Sequence, residues 1–268
     1  MRVPARFLPV PAVLAASALL TGCFATTEAT GAGGGERIRV AMMQPPRSGL
    51  SPLSDDAFKL SRWSTAETLV KLDADGNAEP ALATGWKQSG RAWTFTLRED
   101  VTFHDGTELT AEAAVRSLTE AATASPKPRI LDGVELTAKA PDARTVVVTT
   151  AGEDPLLPQR LSSPQLSILA AKAYRGETVD PVGTGTGPFE LTEVNGTSAA
   201  SLDRYDDYWG GTAKAPGIDA TFVPDGTARA AALRSGEADI VEAVPVSQAA
   251  LLDEDLITEV PMPRTNTL

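Results

Sequence analysis

The sequence has 268 residues and a formal net charge of −11 at pH 7, and hydrophobic residues make up 42% of it. The length suffices for one large domain or two modest domains with a hydrophobic core. The acidic balance argues against a nucleic-acid partner, which needs a basic face, and against electrostatic binding to anionic lipid. With one cysteine and one histidine, the chain cannot form an internal disulfide or a His/Cys metal cluster, so we expect no metal and no cofactor.

Residues 1–22 have the pattern of a secretory signal peptide. Two arginines precede an apolar run, 7–20, that is too short and too interrupted by proline for a good membrane-spanning helix. The run leads to Leu-Thr-Gly-Cys at 20–23, which resembles the bacterial lipobox, a signal that is cut just before its cysteine. The resemblance implies that Cys23 carries a diacylglyceryl group and holds the protein at the outer face of the bacterial cytoplasmic membrane, or in the periplasm. The alternative is that Cys23 is an ordinary small buried residue.

The folded part is expected to begin after a tether. Residues 23–35 are rich in glycine, threonine and alanine, a composition typical of a flexible linker. The Ile38-Arg39-Val40 pattern then predicts a strand that starts near Arg37. Consecutive prolines within residues 42–49 predict a loop directly after it, because proline forbids regular strand pairing.

Helices and strands are mixed in the next part of the chain. The spacing of apolar residues predicts a helix over Asp56–Leu72, ended by a turn at Asp75-Gly76. Strict alternation predicts a strand at Ala92–Leu97, and a short strand is expected at Val101–Phe103. Thr110 is expected to cap the helix that follows.

The later elements complete a mixed pattern. Strands and helices that do not alternate strictly favour an α/β or α+β fold over an all-β fold. The predicted elements are a hairpin of Val134–Leu136 with Thr145–Thr149, a mostly helical segment Pro155–Tyr174, a hairpin of Phe189–Leu191 with Ala200–Leu202 around Asn195-Gly196, a helix Thr227–Ser235 closed by Gly236, and a buried strand Asp239–Val241.

Three stretches of the sequence carry a family resemblance. The first passes through Glu67–Val70, Glu79–Ala83, Trp93–Arg98 and Val101–Gly106 to Thr110–Glu112, the second is Pro181–Phe189, and the third runs from Arg204–Gly211 to Ala231–Ile240. In this order and spacing they resemble the family 5 extracellular solute-binding proteins of ABC importers, the receptors for oligopeptides, dipeptides and nickel chelates. The resemblance covers roughly residues 36–268.

The resemblance implies an α/β, periplasmic-binding-protein-like fold with two lobes around a ligand cleft. The first lobe would consist of a hinge-bearing subdomain, residues 36–58 and 182–268, and a small inserted subdomain, residues 59–181. Strands near 37–41 and 239–241 are then expected in one mixed sheet, and those at 93–97 and 145–149 in another. Family members are much longer, and Leu268 falls about where they cross to the second lobe, so the second lobe is expected to be absent from this sequence.

The resemblance also implies a function. It is that of a non-enzymatic, lipid-anchored protein that captures a peptide or other small amphipathic solute and delivers it to ABC permease subunits. The alternative is a structural or interaction lipoprotein, a receptor lobe without a transport role. No Ser/His/Asp or Cys/His set for nucleophilic catalysis can be assembled, which also argues against an enzyme. The nickel-binding branch carries an arginine near the stretch that is Ser163–Ser167 here, and this stretch has none, which disfavours nickel.

The candidate ligand-binding residues are Met43, Gln44 and Arg47. They lie in the loop that leaves the first strand, where binding folds place ligand-facing loops. Arg47 could hold a carboxylate through a bidentate pair, although a solvated loop arginine is the slightly favoured interpretation. Thr265 and Asn266, near the end of the sequence, are two further candidates.

Three other features are interpreted as structural. His104 is expected to lie in a turn rather than to act in catalysis or metal binding. The glycine-rich residues 183–187 lead into a strand and not a helix, so they are interpreted as a tight crossover and not as a phosphate loop. Residues 73–77 have their glycine at the wrong position for a calcium loop and are interpreted as a turn.

Overall fold

The computed structural model describes residues 35–252. Its strands are β1 (Ile38–Met42), β2 (Val70–Leu72), β3 (Ala78–Pro80), β4 (Ala83–Ser89), β5 (Ala92–Leu97), β6 (Leu136–Asp142), β7 (Thr145–Thr150), β8 (Phe189–Asn195), β9 (Ala199–Arg204), β10 (Gly217–Phe222) and β11 (Ile240–Val241). Its helices are α1 (Ala57–Arg62), α2 (Ala111–Thr123), α3 (Leu157–Arg160), α4 (Gly226–Ser235) and α5 (Val246–Ala249). Of these described helices, none has both the length and the apolar character that a membrane crossing requires.

The first sheet has five strands in the order β11-β1-β10-β9-β8. β1 pairs in parallel with β10 on one side and with β11 on the other, whereas β9 runs antiparallel to β10 and β8. Val40 lies opposite Ala220 and Ile240. The three parallel strands therefore end at the same edge of the sheet.

The second sheet is antiparallel and has the order β4-β5-β7-β6, and β2 pairs separately with β3. The prediction that the strands near 37–41 and 239–241 share one sheet, and those at 93–97 and 145–149 another, is confirmed. Helix α2 packs on β6 and β7 through its buried small and apolar residues, Ala114, Leu118 and Ala121. The side chain of Thr110 accepts a hydrogen bond from the N–H of Ala113 at 3.2 Å, so the predicted cap is confirmed.

Each of the two larger sheets has its own hydrophobic core. One cluster includes Phe95 and Val146 of the second sheet and Leu118 of α2. The other includes Leu202 of the first sheet and Trp63, whose ring centroid lies 6.2 Å from that of Phe222. Complete burial of one such large side chain stabilises the fold by about 1.5–3 kcal/mol.

The helix predicted over Asp56–Leu72 is wrong beyond Arg62. Helix α1 ends there, Ser64 takes a left-handed conformation with φ 52°, and the chain then enters β2. The carbonyl of Thr65 instead accepts a hydrogen bond from the N–H of Gly187 at 3.2 Å. This tertiary contact outweighs the weak preference of the local sequence for a helix.

The mostly helical segment predicted over Pro155–Tyr174 is also wrong. It contains only the four-residue α3 and 3₁₀ turns at Pro164–Leu166 and Ala171–Tyr174. Proline lacks the N–H that a continuing helix needs. The N–H groups of Ile168 and Ala170 donate instead to carbonyls of distant segments, each at 2.8 Å.

The shorter predicted elements are confirmed in part. Residues 101–103 make only an isolated bridge, between Thr102 and Glu108, and not a strand. β11 exists, but Ile240 is 53% exposed because this short strand lies at the sheet edge, so the prediction of a buried strand is wrong. The two predicted hairpins form, as β6–β7 and β8–β9, but the strand predicted at Val134–Leu136 begins only at Leu136. Gly236 closes α4 with φ 72°.

Candidate functional site

The carboxyl ends of the three parallel strands define one edge of the first sheet. β1 ends at Met42, β10 at Phe222 and β11 at Val241. In open α/β sheets, ligands bind in the crevice outside the carboxyl ends of the strands. The loop that follows β1 therefore starts at the edge where a ligand is expected.

The backbone of this loop is held at both ends. The N–H of Met43 donates to the carboxylate of Glu242 at 3.0 Å. Farther on, the N–H groups of Arg47 and Ser48 donate to one carboxylate oxygen of Asp56 at 2.9 and 2.8 Å. Burial opposes the ionisation of Asp56, but hydrogen bonds from Lys59 and Ser48 outweigh burial and lower its pKa. The loop therefore has a fixed course.

The predicted site residues in this loop are all exposed. Met43, Gln44 and Arg47 have exposed side chains, and among residues 35–252 Arg47 takes part in no ion pair. Cys23, Thr265 and Asn266 lie outside the described residues.

A groove of about 690 Å³ opens beside the same loop. It is lined by parts of three segments, 48–54 of the loop, 120–126 at the end of α2, and 174–179. Its volume falls within the range of pockets that hold small organic ligands, about 300–1,000 Å³. Arg47 lies one residue before the groove, whereas Met43 and Gln44 lie at the sheet edge and do not line it.

The groove is lined by hydroxyl groups, a few apolar side chains and two acidic side chains. Leu53, Tyr174 and Val179 supply the larger apolar surfaces, and Glu120 and Glu177 supply carboxylates. Burial raises the pKa of Tyr174 to about 12, so its hydroxyl stays protonated at neutral pH and can donate a hydrogen bond. Such a lining suits a small amphipathic solute.

Arg229 fixes the chain where β10 and β11 end. Its side chain is 2% exposed and donates to the carbonyls of Val223 at 2.6 Å and Pro224 at 2.9 Å after β10. It also donates to the carbonyls of Glu242 at 2.7 Å and Ala243 at 2.8 Å after β11. Sequence reasoning missed this role, although the helix that carries Arg229 was predicted.

A second polar cluster, around Glu67, lies away from the groove. The half-buried Glu67 carboxylate accepts hydrogen bonds from the hydroxyl of Thr186 at 2.8 Å, the hydroxyl of Tyr208 at 3.1 Å and the indole N–H of Trp209 at 3.0 Å. Burial raises the pKa of Glu67 although these hydrogen bonds act against the rise. With its acceptor oxygens satisfied, this carboxylate joins three segments of the fold.

His104 lies in a turn, as predicted, and its ring is buried. Nε2 donates to the carbonyl of Gly187 at 2.8 Å, and the ring of Tyr205 meets the imidazole edge to face at a centroid distance of 4.9 Å. Burial lowers the pKa of His104 from 6.5 to about 4. The neutral imidazole therefore belongs to the folded state at physiological pH.

The titration of His104 should be visible directly, because it is the only histidine in the sequence. Its depressed pKa means that the unfolded chain binds a proton between pH 6.5 and 4 while the folded chain does not. We expect the free energy of unfolding to fall by up to about 3 kcal/mol as the pH drops through this window. NMR of the imidazole protons should give a midpoint near 4 in the folded protein and an ordinary one in urea. A folded-state midpoint at the urea value would contradict the described burial.

The sequence profile of the bacterial extracellular solute-binding proteins, family 5, matches residues 77–268. The chain is 26% identical to the nickel-binding protein NikA of Staphylococcus aureus, over 91% of this chain and 47% of the relative. It is 30% identical to the glutathione-binding protein GsiB of Salmonella typhimurium, over 69% of this chain and 37% of the relative. The chain thus spans less than half the length of these curated relatives.

A solved structure shares the fold. A nickel ABC transporter protein of Bacillus halodurans superposes with a TM-score of 0.73 and 33% identity, over 81% of this chain and 45% of that chain. The α/β, periplasmic-binding-protein-like architecture that the sequence resemblance implied is confirmed by this likeness.

Proposed function

Because the chain belongs to family 5 of the bacterial extracellular solute-binding proteins, we propose that it is the substrate-binding component of an ABC importer. It captures a peptide-like solute outside the membrane and delivers it to permease subunits. The observation that carries this proposal is the groove of about 690 Å³ that begins in the loop after β1, at Ser48. Its volume and its amphipathic lining suit a bound solute.

The ligand is placed as follows. Its apolar parts pack on Leu53 and Val179 in the groove, and its polar parts bond to the surrounding hydroxyls. Arg47, one residue before the groove-lining segment, meets a ligand carboxylate through a bidentate pair. Met43 and Gln44 at the sheet edge, with Thr265 and Asn266, supply further contacts.

The subdomain division of the sequence resemblance completes this picture. Residues 36–58 and 182–268 form the hinge-bearing subdomain, and residues 59–181 form the small inserted one. The strands of residues 36–58 and 182–268 lie in one sheet and the larger strands of 59–181 in another, which supports the division, whereas Leu60, Trp63, Ala66, Leu169 and Ala173 pack in the core of the first sheet. For a whole two-lobed receptor of this family, we propose closure of the two lobes about the hinge onto the ligand as the mechanism, as in other periplasmic-type binding proteins.

A nickel chelate is the second candidate ligand. The names of NikA of Staphylococcus aureus and of the Bacillus halodurans protein both refer to nickel. One observation favours the peptide, since Ser163–Ser167 contains no arginine, unlike the nickel-binding branch of the resemblance.

Filling the groove tests the function. Thr123 is exposed at the end of α2 and lines the groove, and Thr119 is exposed one turn earlier and does not. Thr123→Trp should weaken peptide binding at least about tenfold. The indole would occupy the space of the ligand and would cover the polar groups of the groove that bond to it. The matched control Thr119→Trp should leave the affinity unchanged. Calorimetry with a pooled tripeptide library gives both values, and equal affinities for the two variants would place the ligand elsewhere.

The lipid anchor has its own test. We propose that the mature protein begins at Cys23, carries diacylglycerol there, and stays at the outer face of the cytoplasmic membrane or in the periplasm. Intact-mass analysis of the membrane fraction should show a chain that starts at Cys23 with the lipid added, and Cys23→Ala should remove both the cleavage and the lipid. An unmodified chain that retains Met1 would refute the anchor and leave the solute-binding function standing.

A further inference from the structure

The groove carries negative charge from two elements. Glu120 lies half-buried on the last turns of α2, and Glu177 lies exposed in the segment that follows Tyr174. Both carboxylates line the same groove of about 690 Å³. None of the residues that line it is a lysine or an arginine.

Among residues 35–252, neither Glu120 nor Glu177 takes part in an ion pair. Arg116 lies one turn before Glu120 on α2 but does not line the groove. The two basic side chains that follow the groove segment 120–126 are engaged with other acids. Lys127 pairs with Glu135 at 3.2 Å, and Arg129 pairs with Asp55 at 3.4 Å.

We propose that the groove selects solutes that carry a positive charge, such as a protonated amine, on the part that enters it. This inference rests on the proposed function, since the groove is the binding site there. A cation in the groove gains the attraction of two carboxylates that form no ion pair with the described side chains, whereas an anion meets their repulsion. Glu120 and Glu177 are therefore the specificity-determining residues for charge, while the hydroxyl and apolar lining holds the rest of the solute.

The test uses the full chain and matched tripeptides. In each set, one position is lysine, glutamine or glutamate and the other two are alanine, and the varied position is scanned along the peptide. At the position that enters the groove, lysine should bind about three- to tenfold more tightly than glutamine, and glutamate more weakly than both. The preference should shrink as salt is raised, because the groove is open to solvent.

Variants assign the preference to the two carboxylates. The pair Glu120→Gln and Glu177→Gln should remove the preference for lysine and keep the affinity for the glutamine peptide. Glu193→Gln, on the exposed face of β8, is the matched control and should keep the preference. Unchanged melting temperatures show that the variants fold.

The outcomes separate this inference from the function. If the protein binds the lysine and glutamine peptides equally at every position, or if the double variant keeps the preference, the inference is overturned and the solute-binding function stands. If no tripeptide binds at any position while the protein is folded, the proposed peptide function fails and the inference fails with it.

Discussion

Gly185→Ala is expected to lower the free energy of unfolding by about 3 kcal/mol, since overpacking against rigid atoms is among the costliest point changes. A Cβ on Gly185 would lie 1.8 Å from the carbonyl oxygen of Thr65. That oxygen belongs to the backbone and cannot move aside as the end of a side chain can. A shift would also disturb the hydrogen bonds from His104 N–H to Gly185 and from Gly187 N–H to Thr65, at 2.8 and 3.2 Å.

Urea denaturation followed by tryptophan fluorescence measures this effect. The matched control is Gly152→Ala, because no atom lies within 4 Å of a Cβ built at Gly152 and its backbone does not need a positive φ. The control should change the free energy of unfolding by less than about 1 kcal/mol. If Gly185→Ala proves as mild as the control, residues 183–187 do not cross Thr65 as closely as described.

Arg229→Met is expected to destabilise the fold by about 3 kcal/mol, because it leaves four carbonyls without their charged donor. These carbonyls, at Val223, Pro224, Glu242 and Ala243, lie at the ends of β10 and β11. Methionine fills much of the volume but donates no hydrogen bond, so the loss reports the polar contacts and not a cavity. Water can reach part of this sheet edge, which keeps the loss below the sum of four separate bonds.

Arg234→Met on the same helix is the control, because Arg234 is exposed and its side chain makes no hydrogen bond or ion pair with a described residue. It should change the free energy of unfolding by less than about 0.5 kcal/mol. Comparing the two variants by thermal unfolding separates the effect of losing the buried hydrogen bonds from the effect of losing one positive charge. Equal small shifts would mean that the four carbonyls find other donors.

The parts of the fold that local chemistry decides could be predicted from the sequence. Thr110 caps α2 because its hydroxyl accepts an N–H of the first turn, and Gly236 ends α4 because glycine tolerates the left-handed conformation there. Alternation identified β5, and the resemblance placed β1 and β11 in one sheet although they lie far apart in the sequence.

Where tertiary contacts determine the secondary structure, the local sequence pattern predicted the wrong element. The apolar spacing over Asp56–Leu72 reflects core positions such as Trp63 and Val70, which are buried from a turn and a strand rather than from one helix. The segment Pro155–Tyr174 is buried on several sides, so its apolar pattern could not distinguish a helix from an irregular chain. Both segments bond to distant backbone groups that no local pattern reveals.

Of the three segments that line the groove, the sequence predicted only the loop after β1. The loop after β1 followed from its place behind the first strand, and the groove does begin in that loop, at Ser48. The other walls, 120–126 and 174–179, come from segments whose serines, threonines and glutamates look like ordinary surface. Arg229 was hidden for a similar reason, since an arginine on a short helix is usually solvent-exposed.

Hydrogen–deuterium exchange with a saturating tripeptide tests the central claim most directly, namely that this protein binds a peptide-like solute in the groove. The peptide should slow amide exchange in segments 48–54 and 120–126, which line the groove, because a bound ligand stabilises its surroundings against local opening. The turn at Asn195–Ser198, between β8 and β9, should exchange at its unliganded rate. Slowed exchange that spares both groove segments, with peptide bound, would contradict the account.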